Sequence, residues 1–90
     1  MSEENLRELL ARVHERLANT SSIDQDSRAM LATVVLDIER ALNRGGEGAL
    51  TRAAQNVPRL EALAVQLQTE HPALAEVLRR FVDLLAKAGI

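Results

Sequence analysis

Few residues of this chain could do chemistry. His14 and His71 are its only histidines, the side-chain type that changes charge near neutral pH without perturbation. The sequence holds no His-x-x-x-His or Glu-x-x-His pair, so the helical spacing that brings metal ligands or an acid and a base together is missing. His14, beside Glu15, is expected on a solvated helix face. His71 precedes Pro72 at the edge of an apolar stripe. Its expected role is structural, the ring satisfying amides near the proline, with a pH-sensitive contact to Glu70 or a partner helix as the alternative. Ser21 and Ser22 lack the strand, tight turn and flanking glycines of a nucleophile elbow and read as turn residues. Gly45-Gly46-Glu47-Gly48 follows an expected helix instead of a strand and has no Lys-Ser or Lys-Thr after it, so a loop is expected and not a phosphate cradle. Arg79 and Arg80 lie between Glu76 and Asp83 and read as part of a solvated face. No cysteine is present, which excludes thiolate nucleophiles, disulfides and cysteine-bound metals. No catalytic, cofactor-binding or metal-ligating residue is assigned, no cofactor is expected, and the chain is not read as an enzyme.

The elements that carry these residues are all helical. Ser2 is a possible cap for a helix with Glu3 and Glu4 in its first turn, where amide dipoles favour acidic side chains. Leu6, Leu9, Leu10, Val13 and Leu17 line one face of that helix to about Ala18, and Glu3/Arg7 and Glu8/Arg12 can pair at i,i+4 on the other. Asn19-Thr20-Ser21-Ser22 is a turn. Asp24 is expected to cap a second helix over 25–44, with Asp26 in its first turn and Arg40 and Arg44 in its last, matched to the dipole at both ends. Its buried face is Met30, Leu31, Val34, Val35, Ile38 and Leu42, and Gly45-Gly46 ends it. The short connection makes the first two helices antiparallel. Helix resumes between Leu50 and Pro58, with Asn56 as a plausible cap and Pro58 in a first turn.

The longest patterned stretch runs from Leu60 to Ala88. Leu60, Leu67, Leu74, Phe81 and Ala88 recur every seven residues, with Leu63, Val77 and Leu84 between them, and Ala64, Leu78 and Leu85 broaden the stripe. Pro72 interrupts it by removing the amide that would reach the carbonyl of Gln68, so either one helix kinks there or one ends near Thr69 and another starts at Pro72. Because the sevenfold phase runs unbroken from Leu67 to Leu74, a nearly collinear joint is expected there. The fold class is therefore all-α: a single domain, 1–90, built as an antiparallel helical hairpin or bundle of three to four helices, the last one long and bent at Pro72. Glu76/Arg80 and Asp83/Lys87 pair on its exposed side, and Gly89 ends it.

Ninety residues with 11 Lys and Arg against 13 Asp and Glu, a net charge of −2 and a single aromatic residue exclude other classes. A mixed surface exerts little long-range pull on phosphate backbones or anionic lipid, and stacking platforms for bases are missing, so no nucleic-acid partner is expected. Ser2-Glu3-Glu4 is not a basic leader and no apolar run approaches the ~20 residues needed to cross a bilayer, so no membrane partner is expected and the protein is placed in the cytoplasm.

Several segments resemble a small bacterial family known as a domain of unknown function (number 4404). They are Leu6-Arg7-Glu8-Leu9-Leu10 with His14-Glu15, Ile23-Asp24, Asp37-Ile38-Glu39-Arg40 and Arg59-Leu60-Glu61-Ala62-Leu63-Ala64. They continue through Glu70-His71-Pro72-Ala73-Leu74-Ala75 and Leu84-Leu85-Ala86-Lys87-Ala88-Gly89-Ile90. The resemblance implies an all-helical small protein and no known activity, cofactor or site residue. From the residues themselves, the reading is a self-associating structural or protein-interaction module without catalytic activity, a homodimer that can also engage another protein. Its association face is Leu60, Leu63, Leu67, Leu74, Val77, Phe81 and Leu84, since an unpaired chain would leave that stripe or part of the first helix in water. A ligand-binding or regulatory bundle with a pocket between helices is the alternative, and it needs convergent polar groups.

Overall fold

The computed structural model describes residues 2–88, with Ser2, Glu3 and Ala88 described by backbone alone. Capping by the Ser2 side chain, the Glu3/Arg7 pair and the stop at Gly89 fall outside what is described. Five helices follow one another: α1 (Ser2–Asn19), α2 (Gln25–Arg44), α3 (Ala49–Ala54), α4 (Val57–Leu67) and α5 (Pro72–Ala88). The expectation of an all-α fold holds, with no strand among the described residues.

Side chains that span neighbouring elements give the directions. Arg7 donates to Asn43 Oδ1 at 3.5 Å and His14 pairs with Glu39 at 3.1 Å, so α1 and α2 run antiparallel. Arg59 meets Asp37 at 3.7 Å, near the start of α4 and the second half of α2, so the chain turns back again after α2. The Arg79 guanidinium donates to Gln68 Oε1 across the last turn, and α5 packs along both α4 and α1. The result is an up-down-up-down bundle whose third rod is α3 and α4 in succession. Its principal extents are 38 × 21 × 20 Å.

Each connection has a local cause. Asp24 caps α2, its Oδ2 accepting from the Ser27 amide at 3.0 Å. From the first turn of α2, Arg28 donates to the Leu17 carbonyl at 2.7 Å and to that of Thr20, carbonyls at the end of α1 that have no amide partner within the helix. Gly45 ends α2 at φ 68°, and its amide donates to Leu42 O at 3.1 Å. That backbone geometry is open to glycine and strained for other residues. Between α3 and α4, the Asn56 side chain does not cap α4. It turns back to the Ala53 carbonyl at 3.2 Å, while the Asn56 carbonyl accepts from Leu60 N at 3.0 Å, and Pro58 occupies the first turn of α4, where an amide hydrogen is dispensable.

The last connection corrects the expected long helix. α4 ends at Leu67, residues 68–71 turn, and Pro72 is the first residue of α5, which folds back along α4. Pro72 starts a helix with φ already set instead of bending one. The sevenfold phase survives the reversal because Leu67 and Leu74, on either side of the turn, enter the same core.

That core is one aliphatic cluster with Phe81 inside it. Leu6, Val13, Leu31, Val34, Ile38, Leu60, Leu63, Leu78, Phe81 and Leu85 are inaccessible to solvent. Burying a side chain of this size contributes about 1.5–3 kcal/mol. Met30, expected on the buried face of α2, is 46% exposed, because it lies on the side of that helix turned away from α1 and α4.

Candidate functional site

The seven residues expected to form an association face do not present one. Leu60, Leu63, Leu67, Leu74, Val77 and Phe81 are buried in the core of the single chain, and Leu84 is partly buried against it. The premise that one chain would leave this stripe in water is thereby corrected: once α5 folds onto α4, the stripe of each helix faces the other and the faces of α1 and α2.

The histidines fall at opposite kinds of position. His14 is exposed and pairs with Glu39 on α2. His71 is partly exposed in the α4–α5 turn. Its amide donates to Leu67 O at 2.8 Å and its carbonyl accepts from Ala75 N at 3.0 Å, so its backbone, and not its ring, joins the two helices. The ring makes no hydrogen bond among the described residues. It lies close enough to Asp24 to act on it electrostatically: the Asp24 carboxyl is held below its ordinary range, chiefly by the Ser27 amide and to a small degree by His71. The turn between α4 and α5 thus adjoins the cap of α2. Ser21 and Ser22 are exposed turn residues. Arg79 and Arg80 are held by Gln68 and by Glu76, the latter at 3.1 Å. The pairs Glu8/Arg12 and Asp83/Lys87 form at 3.6 and 3.2 Å.

No group of three or more histidine, aspartate or glutamate side chains comes together for a metal among the described residues. No helix of the structure is long and apolar enough to cross a membrane.

Two surface features remain. One is the outer face of α2. At steps of three and four residues it presents Asp26, Ala29, Met30, Thr33, Leu36 and Arg40, all exposed, on the side opposite Leu31, Val34, Val35, Ile38 and Leu42. Between Asp26 and Arg40 the exposed side chains Ala29, Met30, Ala32, Thr33 and Leu36 are uncharged, and Met30 and Leu36 are 46% and 45% exposed.

The other is a groove of about 440 Å³ where α2 faces α3 and the start of α4. Arg40, Arg44, Arg52 and Arg59 line it with Gln55 and Asn56, against a single carboxylate, Asp37. Arg52 leans over the glycine loop. Its Nη2 donates to Gly45 O at 3.0 Å, and its Nη1 comes so near Gly48 that a Cβ there would stand 2.7 Å away. Its Nε is buried with no hydrogen-bond partner. Sequence reasoning missed this site, since each arginine alone reads as a polar-face residue or a complement to a helix dipole. The available signal was Arg40/Arg44 one turn apart on one helix and Arg52 and Arg59 on the two short helices that follow it, which an antiparallel pairing brings together.

Fold and surfaces define a small all-helical domain, built on a closed aliphatic core. The chain belongs to the family described as Domain of unknown function (DUF4404), whose model matches residues 6–90. Comparison with curated proteins and with solved structures finds no match to either.

Proposed function

We propose that the protein is a self-associating interaction module, not an enzyme, and that a second copy binds along the outer face of α2. The observation that carries this reading is the symmetry of that face about Thr33. Met30 and Leu36 lie three residues to either side of Thr33, and Asp26 and Arg40 seven residues to either side. Two α2 helices laid antiparallel with their Thr33 residues together set Asp26 of each level with Arg40 of the other. The exposed Met30 and Leu36 side chains then cluster round the two-fold axis. The helix dipoles also oppose in that arrangement. The parallel arrangement would put like charges side by side.

A chain without cysteine offers a direct test. Thr33→Cys should oxidise to a disulfide-linked dimer, whereas Val65→Cys, also exposed but on α4, should not. Light scattering from micromolar to millimolar protein should show concentration-dependent doubling of mass, which Leu36→Glu abolishes without loss of helicity. A wild-type protein that stays monomeric over that range, or a dimer that survives Leu36→Glu, would defeat the proposal.

A further inference from the structure

We infer that the arginine groove between α2 and the α3–α4 rod is a binding site for a small phosphate-bearing anion. Arg40 is shared with the proposed pairing through α2, so the inference rests on Arg44, Arg52 and Arg59, which that pairing does not use.

Four arginines line one concavity in a chain whose overall charge is −2. Little within the groove neutralises them. Asp37 meets Arg59 at 3.7 Å, a distance at which an exposed pair is weak. Arg40 and Arg44 have no hydrogen bond or ion pair among the described residues. Gathering like charges costs free energy that an anion seated among them would offset. Arg52 also keeps a buried Nε without a hydrogen-bond partner, as does Ser27 Oγ in the core, and a small turn of the Arg52 guanidinium toward a seated anion would relieve that cost.

The chemistry favours phosphate. Guanidinium groups offer planar, paired donors matched to phosphate oxygens. They come here from three elements: Arg40 and Arg44 from α2, Arg52 from α3 and Arg59 from α4. The groove, at about 440 Å³, falls in the usual range of about 300–1,000 Å³ for small-ligand sites. It therefore has room for more than inorganic phosphate, and the exposed Gln55 offers an amide group to a polar remainder. Its lining contains no aromatic ring on which a base could stack. A phosphorylated, non-aromatic small molecule fits that lining best.

The glycine loop has a part in building the site. It turns the chain from α2 into α3, supplies the Gly45 carbonyl that holds Arg52, and leaves Gly48 without a Cβ so that the guanidinium can lie against it. The loop does not itself cradle the phosphate. It positions an arginine.

The test is an amide and guanidinium NMR titration at constant ionic strength, with inorganic phosphate in one arm, glucose 6-phosphate in a second and chloride in a third. Saturable shifts are expected at Arg44, Arg52, Gln55 and Asn56, including the Nε–H signal of Arg52. Tighter binding of the sugar phosphate than of inorganic phosphate would identify a phosphorylated metabolite as the ligand. The reverse order would identify the free ion. Arg44→Ala should weaken binding at least tenfold while leaving thermal stability unchanged, and Gly48→Ala should weaken it by displacing Arg52. Repeating the titration on Leu36→Glu separates this site from the pairing of α2, since that variant, as a monomer, should still bind through Arg44, Arg52 and Arg59 even though its new carboxylate can pair with Arg40. No saturation by tens of millimolar, equal shifts with chloride, or unchanged affinity in Arg44→Ala would overturn the inference.

Discussion

The C-terminal hairpin and α2 carry comparable apolar patterns and use them differently. In α4 and α5 every large residue of the stripe turns inward from Leu60 through Phe81; Leu84 and the flanking Val57 and Val82 stay partly open, and Val65, off the stripe, is exposed. In α2 the core face is as complete, yet Met30 and Leu36 remain on the far side. A hairpin lets one helix cover its successor, so a sevenfold repeat in this region reports intramolecular packing. An outer helix covered on one side only keeps whatever apolar residues its sequence places on the other. The same periodicity therefore marks a core in one region and an available surface in the other.

The largest effect that would break this contrast is in the hairpin. Phe81→Ala should cost about 3–5 kcal/mol and Leu63→Ala about 2–5 kcal/mol, a large part of the ~5–15 kcal/mol typical of a whole domain. Denaturant unfolding followed by circular dichroism measures it. A loss below about 1 kcal/mol would mean that the hairpin is not closed as described.

Gly45→Ala probes the connection that begins the return from α2. No atom stands within 4 Å of the added Cβ, so the penalty is backbone strain alone, about 1–3 kcal/mol. Gly46, also at positive φ with open space around it, should respond in the same sense. A neutral outcome at both would show that the loop has other conformations of equal free energy.

The cap of α2 adds a pH-dependent term. In the folded state the Asp24 carboxyl titrates below its ordinary value of 3.8. Its contribution is therefore fully present above that ordinary value and is lost as pH falls through the lower, folded one. Thermal melts of wild type and Asp24→Ala should differ by a constant few degrees at neutral pH. The two curves should converge in strong acid. A difference that grows on acidification would reverse the sign and reject the cap as its source.

The smallest expected effect on stability sharpens the other side of the comparison. Leu36→Glu on the outer face of α2 should change folding free energy by no more than about 0.5 kcal/mol, since its side chain is 45% exposed, while it abolishes pairing. Pro72→Ala belongs to the same small class. The first position of a helix needs no amide partner, and the turn is held by the His71 and Ala75 backbone bonds. A melt that collapsed in Pro72→Ala would show that the proline dictates the reversal.

The helices themselves were legible. Asp24 before an apolar period, Gly45-Gly46 after one and Pro58 in a first turn are local signals, set by a few adjacent backbone groups, and the structure uses each of them. The surface pairs Glu8/Arg12, Glu76/Arg80 and Asp83/Lys87 follow from the same short-range geometry. The candidate site was not legible. Its arginines lie on three helices, and their convergence depends on how those helices are arranged.

The sequence alone determined which residues are apolar on a helical face and where helices start and stop, because those properties are settled within one or two turns of chain. Tertiary structure alone decided the direction taken after Gln68. The phase from Leu67 to Leu74 is compatible with a straight joint and with a reversal, and the reversal buries both stripes against one another within a single chain. It also decided that Met30 faces outward and that Arg40, Arg44, Arg52 and Arg59 share one groove. Such outcomes rest on the balance of burial across the whole bundle, to which no single segment of sequence gives access.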